Sequence, residues 1–194
     1  MKLILIRHGK TLANEKKLYC GSTDISLSKK GIKELQAAKK KIDYPDVSRM
    51  QIITSGKMRC EETLAILYGD VSHRAEKRFA EMDLGAFEMF SYKQLRNRPD
   101  FIEWITGDNE ANKTPGGESG NEMTARVIEA LNELIAAGED TLLVTHGGVI
   151  AAIMAHLFPN ENKNRYEWQP ESGRGYVVEI ESAEKRATGK TDLR

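Results

Sequence analysis

Cysteine is nearly absent from this chain of 194 residues, with only Cys20 and Cys60. Two thiols cannot staple a fold of this size, and no CxxC or Cys/His spacing suggests a zinc site. Proline is scarce as well, at five. No apolar run approaches the roughly 20 residues that cross a bilayer; the longest are Leu3-Ile4-Leu5-Ile6 and Val149 to Leu157. No signal-peptide pattern opens the chain. An excess of charge is also missing, because 29 basic residues balance 29 acidic ones. No global field therefore favours nucleic acid or a membrane surface. Repeats and low-complexity stretches are lacking, which argues against solenoids and linkers. The expectation is one soluble, reduced, cytoplasmic domain over residues 1–194, either monomer or homodimer, with enough apolar residues to bury a core.

Strand-like apolar runs stand out at Lys2–Ile6, Gln51–Ile53, Thr141–Thr145 and Tyr176–Ile180. The first and third are continuous rather than alternating, as in strands covered on both faces of a mostly parallel sheet. Helical patterns separate them. Ile32, Leu35, Ala38 and Ile42 share a face behind Ser28, and a helix from Lys57 stops at Gly69. Ser119 and Glu122 form a capping box ahead of Val127, Leu131, Leu134 and Ile135, with Gly138 after the helix. Alternation of this kind implies an α/β fold, a three-layer α/β/α sandwich. Residues 84–118 differ. Pro99, Pro115 and the aromatic pairs Phe87/Phe90 and Phe101/Trp104 suggest a short-helical, lid-like insertion over one end of the sheet. The polar tail from Ser182 to Arg194 reads as frayed or as a terminal edge.

Ligands of open α/β sheets bind beyond the carboxyl ends of the strands. The first strand runs into Arg7-His8-Gly9-Lys10-Thr11, with Asn14 following, and the third into Thr145-His146-Gly147-Gly148. A histidine followed by glycine at a strand-to-helix turn admits an anion close to backbone N–H groups. Arg7, and Arg59 on the helix after Thr54-Ser55, add planar forks suited to phosphate. Each residue alone equally fits a structural histidine or a surface arginine. Their coincidence at one sheet edge favours a phosphate site.

These residues carry a family resemblance. Leu5-Ile6-Arg7-His8-Gly9-Lys10-Thr11 with Asn14 resembles the RHG signature of the histidine phosphatase (phosphoglycerate mutase-like) superfamily. Thr54-Ser55 through Arg59 to Glu62-Thr63 is similar to that family's second arginine segment, Glu81-Met82-Asp83-Leu84-Gly85-Ala86-Phe87-Glu88 to its acidic segment, and Val144 to Gly148 to its second histidine turn. The resemblance implies a metal-independent phosphoric monoester hydrolase without cofactor. His8 would be the nucleophile, forming a phosphohistidine, and its other ring nitrogen would need a carbonyl acceptor near Gly9. Arg7, Arg59, His146 and Asn14 would hold the phosphoryl oxygens, helped by Gly21 and Gly147. Glu81 would be the general acid, which requires burial or a nearby phosphate to keep its proton.

Within the family, Cys20-Gly21-Ser22-Thr23-Asp24 is mutase-like, but Leu84 stands where mutases carry tyrosine, and no Arg-Arg pair precedes a proline-rich insert. Phosphatase is therefore expected, with a small organic phosphate ester as partner. Phe87 and Trp104 are candidates for stacking on an aromatic base or for packing. Lys93, Arg96, Arg98 and Lys113 read as a solvated face, Cys60 as semi-buried, and Glu118 as an organiser of the pocket loop or a helix-terminal charge. Open alternatives are a phosphoglycerate mutase, a broad-specificity phosphatase, and a phosphate- or phosphopeptide-binding module with little catalysis.

Overall fold

The computed structural model describes residues 1–194 apart from 109, 182, 185 and 194. Six strands form one sheet: β1 (Lys2–Arg7), β2 (Gln51–Thr54), β3 (Arg74–Ala75), β4 (Thr141–Thr145), β5 (Gly175–Glu181) and β6 (Arg186–Leu193), in the order β3-β2-β4-β1-β5-β6. The helices are α1 (Leu12–Lys16), α2 (Lys29–Lys39), α3 (Met58–Tyr68), α4 (Tyr92–Leu95), α5 (Pro99–Thr106), α6 (Gly120–Ala137), α7 (Gly147–Leu157) and α8 (Arg165–Trp168). Strands β3, β2, β4 and β1 run parallel, whereas β5 and β6 join antiparallel. The sandwich is thus mixed at one side.

The continuous apolar run of β1 has its expected cause. Leu3 and Leu5 enter a core with α6 and α7, while Ile4 and Ile6 face the opposite core with α2 and α3, and all four are fully buried. Full burial of one such side chain contributes about 1.5–3 kcal/mol. Ser28 caps α2 through the Gly31 N–H, and the Ser119/Glu122 capping box closes as expected. Gly69 and Gly138 end α3 and α6 at φ 83° and 71°, where a side chain would be strained.

One expectation needs correction, that for Cys60; two open alternatives are decided, and two strands lie outside the apolar runs. The apolar runs did not reveal β3 or β6, because β3 is two exposed residues and β6 is a polar edge strand, its charge a common defence against edge pairing. The tail is therefore an edge strand over 186–193; its Ser182 and Arg194 lie outside the described residues. Cys60 is fully buried rather than semi-buried. Phe87 and Trp104 cannot stack on a ligand: Phe87 is fully buried, and both pack against Phe101, with Tyr19 on Trp104. Together these rings form the apolar floor of the segment 84–118.

Candidate functional site

Parallel β1, β4 and β2 bring their carboxyl ends to one edge, and register does the rest. Arg7 pairs with Thr145, and the His8 N–H donates to the Thr145 carbonyl at 2.9 Å. His8 and His146 consequently leave adjacent strands together. Their ring centroids stand 5.1 Å apart, inclined at 64°.

His8 Nδ1 lies 2.7 Å from the Gly9 carbonyl. A carbonyl only accepts, so Nδ1 carries the proton and Nε2 keeps a lone pair. Burial, with Arg59 and Arg7 nearby, pushes the ring down from 6.5 to about 3, so it is neutral at physiological pH. The turn itself is fixed by Thr63, whose hydroxyl accepts the Gly9 N–H at 2.9 Å and donates to the Arg59 carbonyl at 2.6 Å.

Arg59 is almost completely buried and spreads its fork over three acceptors. Nη2 donates to the Gly21 carbonyl at 2.7 Å, Nη1 to the Thr23 carbonyl at 2.9 Å, and Nε to His146 Nδ1 at 3.3 Å. Arg7 donates through Nη1 to the Pro170 carbonyl at 2.8 Å, while its Nε is buried with no partner among the described residues. An orphaned cationic donor in a site is an invitation to an anion. Burial draws the Arg7 guanidinium below its usual value, opposed by nearby Glu81.

Glu81 sits at the amino end of α7. Its carboxylate accepts the Gly148 N–H at 3.0 Å and the Met82 N–H at 3.0 Å. The two glycines after His146 leave room for these side chains: a Cβ on Gly148 would lie 2.4 Å from Glu81 Oε1 and displace the carboxylate, and one on Gly147 would lie 3.1 Å from Arg7 Cζ, a tight contact. Asn14 is exposed and lines a hollow with Arg7 and Gly9, and its Oδ1 closes a capping box with Thr11. Gly21 is brought to the site in a different sense from that expected. Its N–H is spent on Glu88 and its carbonyl on Arg59, so it acts by anchoring Arg59.

Several supporting residues escaped the sequence reading. The Glu88 carboxylate gathers N–H groups of Gly21, Ser22, Thr23 and Leu84 and the hydroxyls of Ser22 and Thr23, and so fastens the 21–23 loop to the acidic segment. Arg126 of α6 holds the carbonyls of Arg78, Ala80 and Glu81 and pairs with Glu118, which in turn accepts the Asp83 N–H. Glu118 therefore organises the acidic segment, one of the two roles considered for it. Ser55 and Cys60 both contact His146 Nε2, at 2.8 and 3.7 Å. Burial pushes the Cys60 thiol up to about 12 and also raises the half-buried Cys20 thiol, so neither is activated. Among the described residues, no group of three or more His, Cys, Asp or Glu side chains is placed to hold a metal ion, and no helix is long and apolar enough to cross a membrane.

Two neighbouring imidazoles, the buried guanidinium of Arg59, the half-buried one of Arg7 and a carboxylate at a helix amino end are gathered at one edge of the α/β sheet. The chain belongs to the histidine phosphatase superfamily (branch 1), whose sequence profile matches residues 3–192. Among curated relatives, an adenosylcobalamin/alpha-ribazole phosphatase of Salmonella typhimurium is 26% identical over 184 residues, covering 93% of this chain and 91% of that one. A 2,3-bisphosphoglycerate-dependent phosphoglycerate mutase of Beijerinckia indica is 27% identical over 172 residues, covering 80% of each. Among solved structures, an alpha-ribazole phosphatase from Shigella flexneri superposes with a TM-score of 0.87 at 25% identity, covering 100% of this chain and 96% of that one.

Proposed function

We propose that this protein hydrolyses phosphomonoesters through a phosphohistidine on His8, and that its substrate is a small organic phosphate of the α-ribazole 5′-phosphate type. The observation that carries the reading is the Nδ1–H bond from His8 to the Gly9 carbonyl, which leaves a neutral Nε2 lone pair beside the orphaned Arg7 donor. In the first step Nε2 attacks phosphorus while the ester oxygen departs with a proton from Glu81. In the second, water attacks the phosphohistidine, returns that proton to Glu81 and releases inorganic phosphate. Arg7, Arg59 and His146, with Asn14 Nδ2 and the amino end of α7 at Gly147, stabilise charge on the equatorial oxygens, which is the main task in phosphoryl transfer.

The substrate class rests on likeness. The segments Leu18-Tyr19-Cys20-Gly21 and Glu88-Met89, where Met replaces the more usual glycine, together with the short chain, are similar to α-ribazole-5′-phosphate phosphatases, in agreement with the Salmonella and Shigella relatives. A mutase must grip a second anionic end. Of the four cations in 84–118, Arg98 is paired with Asp100 at 2.6 Å and Lys113 with Glu122 at 2.5 Å, so two of the four are engaged and less charge is offered to a second anionic end.

A panel containing p-nitrophenyl phosphate, α-ribazole 5′-phosphate and 3-phosphoglycerate, assayed with a chelator present, tests the proposal. Release of phosphate with preference for the ribazole ester is expected. Relocation of phosphate on phosphoglycerate would move the protein to the mutase branch. Phosphate binding without turnover would make it a binding module.

A further inference from the structure

His146 is the one member of the cradle whose ring is enclosed on both nitrogens by protein. Arg59 Nε can only donate, so in the empty site His146 Nδ1 accepts and the proton resides on Nε2. Nε2 then donates to Ser55 Oγ at 2.8 Å, with Cys60 Sγ at 3.7 Å. Ser55, Cys60 and His146 are all buried, at 2%, 0% and 0% exposure, so loss of the hydroxyl would leave buried Nε2 with only the weak and longer contact to the Cys60 sulfur.

A phosphoryl oxygen reverses the demand on the ring. It offers only lone pairs, so Nδ1, the edge turned toward Arg59, has to become a donor. Either the ring shifts its proton from Nε2 to Nδ1, or it gains one and carries both. In the first case Nε2 becomes an acceptor, and in the second it remains a donor. A hydroxyl is the small side chain that satisfies both, since it donates or accepts as required. We infer that Ser55 is a positioning residue whose hydroxyl holds His146 by Nε2 and lets Nδ1 change from acceptor of Arg59 to donor to the phosphoryl group. This rests on the phosphatase reading above. The charged and titratable groups that face His146 are Arg7 at the end of β1, His8 just beyond it, and Lys57 and Arg59 at the start of α3, with the Cys60 thiol beside Nε2. Glu81 approaches from the amino end of α7.

The test compares wild type, Ser55→Ala and Ser55→Thr by turnover of p-nitrophenyl phosphate across pH and by nitrogen NMR of the histidine rings with and without inorganic phosphate. The wild-type ring is expected to be protonated at Nε2 when empty and at Nδ1 with phosphate bound. Ser55→Ala should lower kcat/KM about 10- to 100-fold, displace the acid limb of the pH profile and alter the His146 resonances. Ser55→Thr, which keeps the hydroxyl, should recover most of the loss. Wild-type kcat/KM and unchanged His146 resonances in a folded Ser55→Ala protein would overturn the inference. So would a folded Ser55→Thr protein no better than alanine, or an Nδ1 that stays unprotonated with phosphate bound. If wild type neither turns over esters nor binds phosphate, the phosphatase reading fails, and the ring resonances of the empty proteins still decide whether Ser55 holds His146.

Discussion

His8 and Gly9 are bonded to each other through side chain and main chain, with imidazole Nδ1 2.7 Å from the adjacent carbonyl. A single local contact thus chooses the tautomer, and in the proposed reaction the tautomer chooses which nitrogen meets phosphorus. Replacing His8 by alanine should abolish acid-labile labelling of the protein by a phosphate donor and reduce turnover by at least about 10³-fold. Rapid-quench labelling measures the first and steady-state assay the second. A mutant that still labels removes His8 from the nucleophile role.

Glu81, the general acid of the proposed reaction, is held by the Met82 and Gly148 N–H groups. Glu81→Gln keeps the shape and removes the transferable proton. Hydrolysis of an alkyl ester should fall by about 10²–10⁴-fold, and that of an aryl ester with a good leaving group much less. Equal losses on both substrates would exclude the acid role.

Glu88 satisfies four main-chain N–H groups of two segments at once. Glu88→Ala should lower stability by about 2–4 kcal/mol, because the donors left behind are partly buried. It should also raise KM, since Arg59 takes its bearings from the Gly21 and Thr23 carbonyls. Denaturation curves and phosphate-ester kinetics check the two effects separately.

Met89 has a φ of 63°, a conformation that costs a side chain about 1 kcal/mol relative to glycine. Met89→Gly should relieve that strain, partly offset by the greater freedom glycine has when unfolded. The expected net gain is a few tenths to about 1 kcal/mol by urea denaturation, and a loss would mean that the Met89 side chain packs more strongly than its backbone is strained.

Acid sensitivity follows from the two buried rings. His8 is lowered from 6.5 to about 3, chiefly by burial, and His146 is lowered as well, also chiefly by burial. Between those limits the unfolded chain binds protons that the folded chain refuses. Stability from His8 is therefore complete above about pH 6.5 and is lost as pH falls toward 3, by about 1.4 kcal/mol per pH unit, and His146 contributes a loss of the same sign. His8→Asn should flatten the dependence of unfolding free energy on pH between 4 and 6. A slope identical to wild type would contradict the burial of a neutral His8.

Local signals accounted for much of what was legible in the chain. The unbroken run Leu3–Ile6 announced a strand buried on both faces, Ser28 and Ser119 announced helix starts, and two His-Gly turns announced that His8 and His146 meet at one sheet edge. Each of these depends on residues adjacent in sequence, so short-range physics exposes them. The stacking role considered for Phe87 and Trp104 failed because an aromatic in a lid-like segment looks the same in sequence whether it faces a ligand or fills a core. Edge strand β6 read equally as a frayed tail or a terminal edge, because its polarity suits both.

By itself, then, the sequence determined the parallel α/β framework and the chemical cast of Arg7, His8, Arg59, Glu81 and His146, since composition and turn chemistry are written residue by residue. Only the tertiary structure decided who holds them. Glu88 on Gly21, Arg126 on the 78–81 backbone, and Ser55 and Cys60 on His146 are contacts between residues far apart in the chain. Their geometry is fixed by strand register and core packing, which no local pattern encodes.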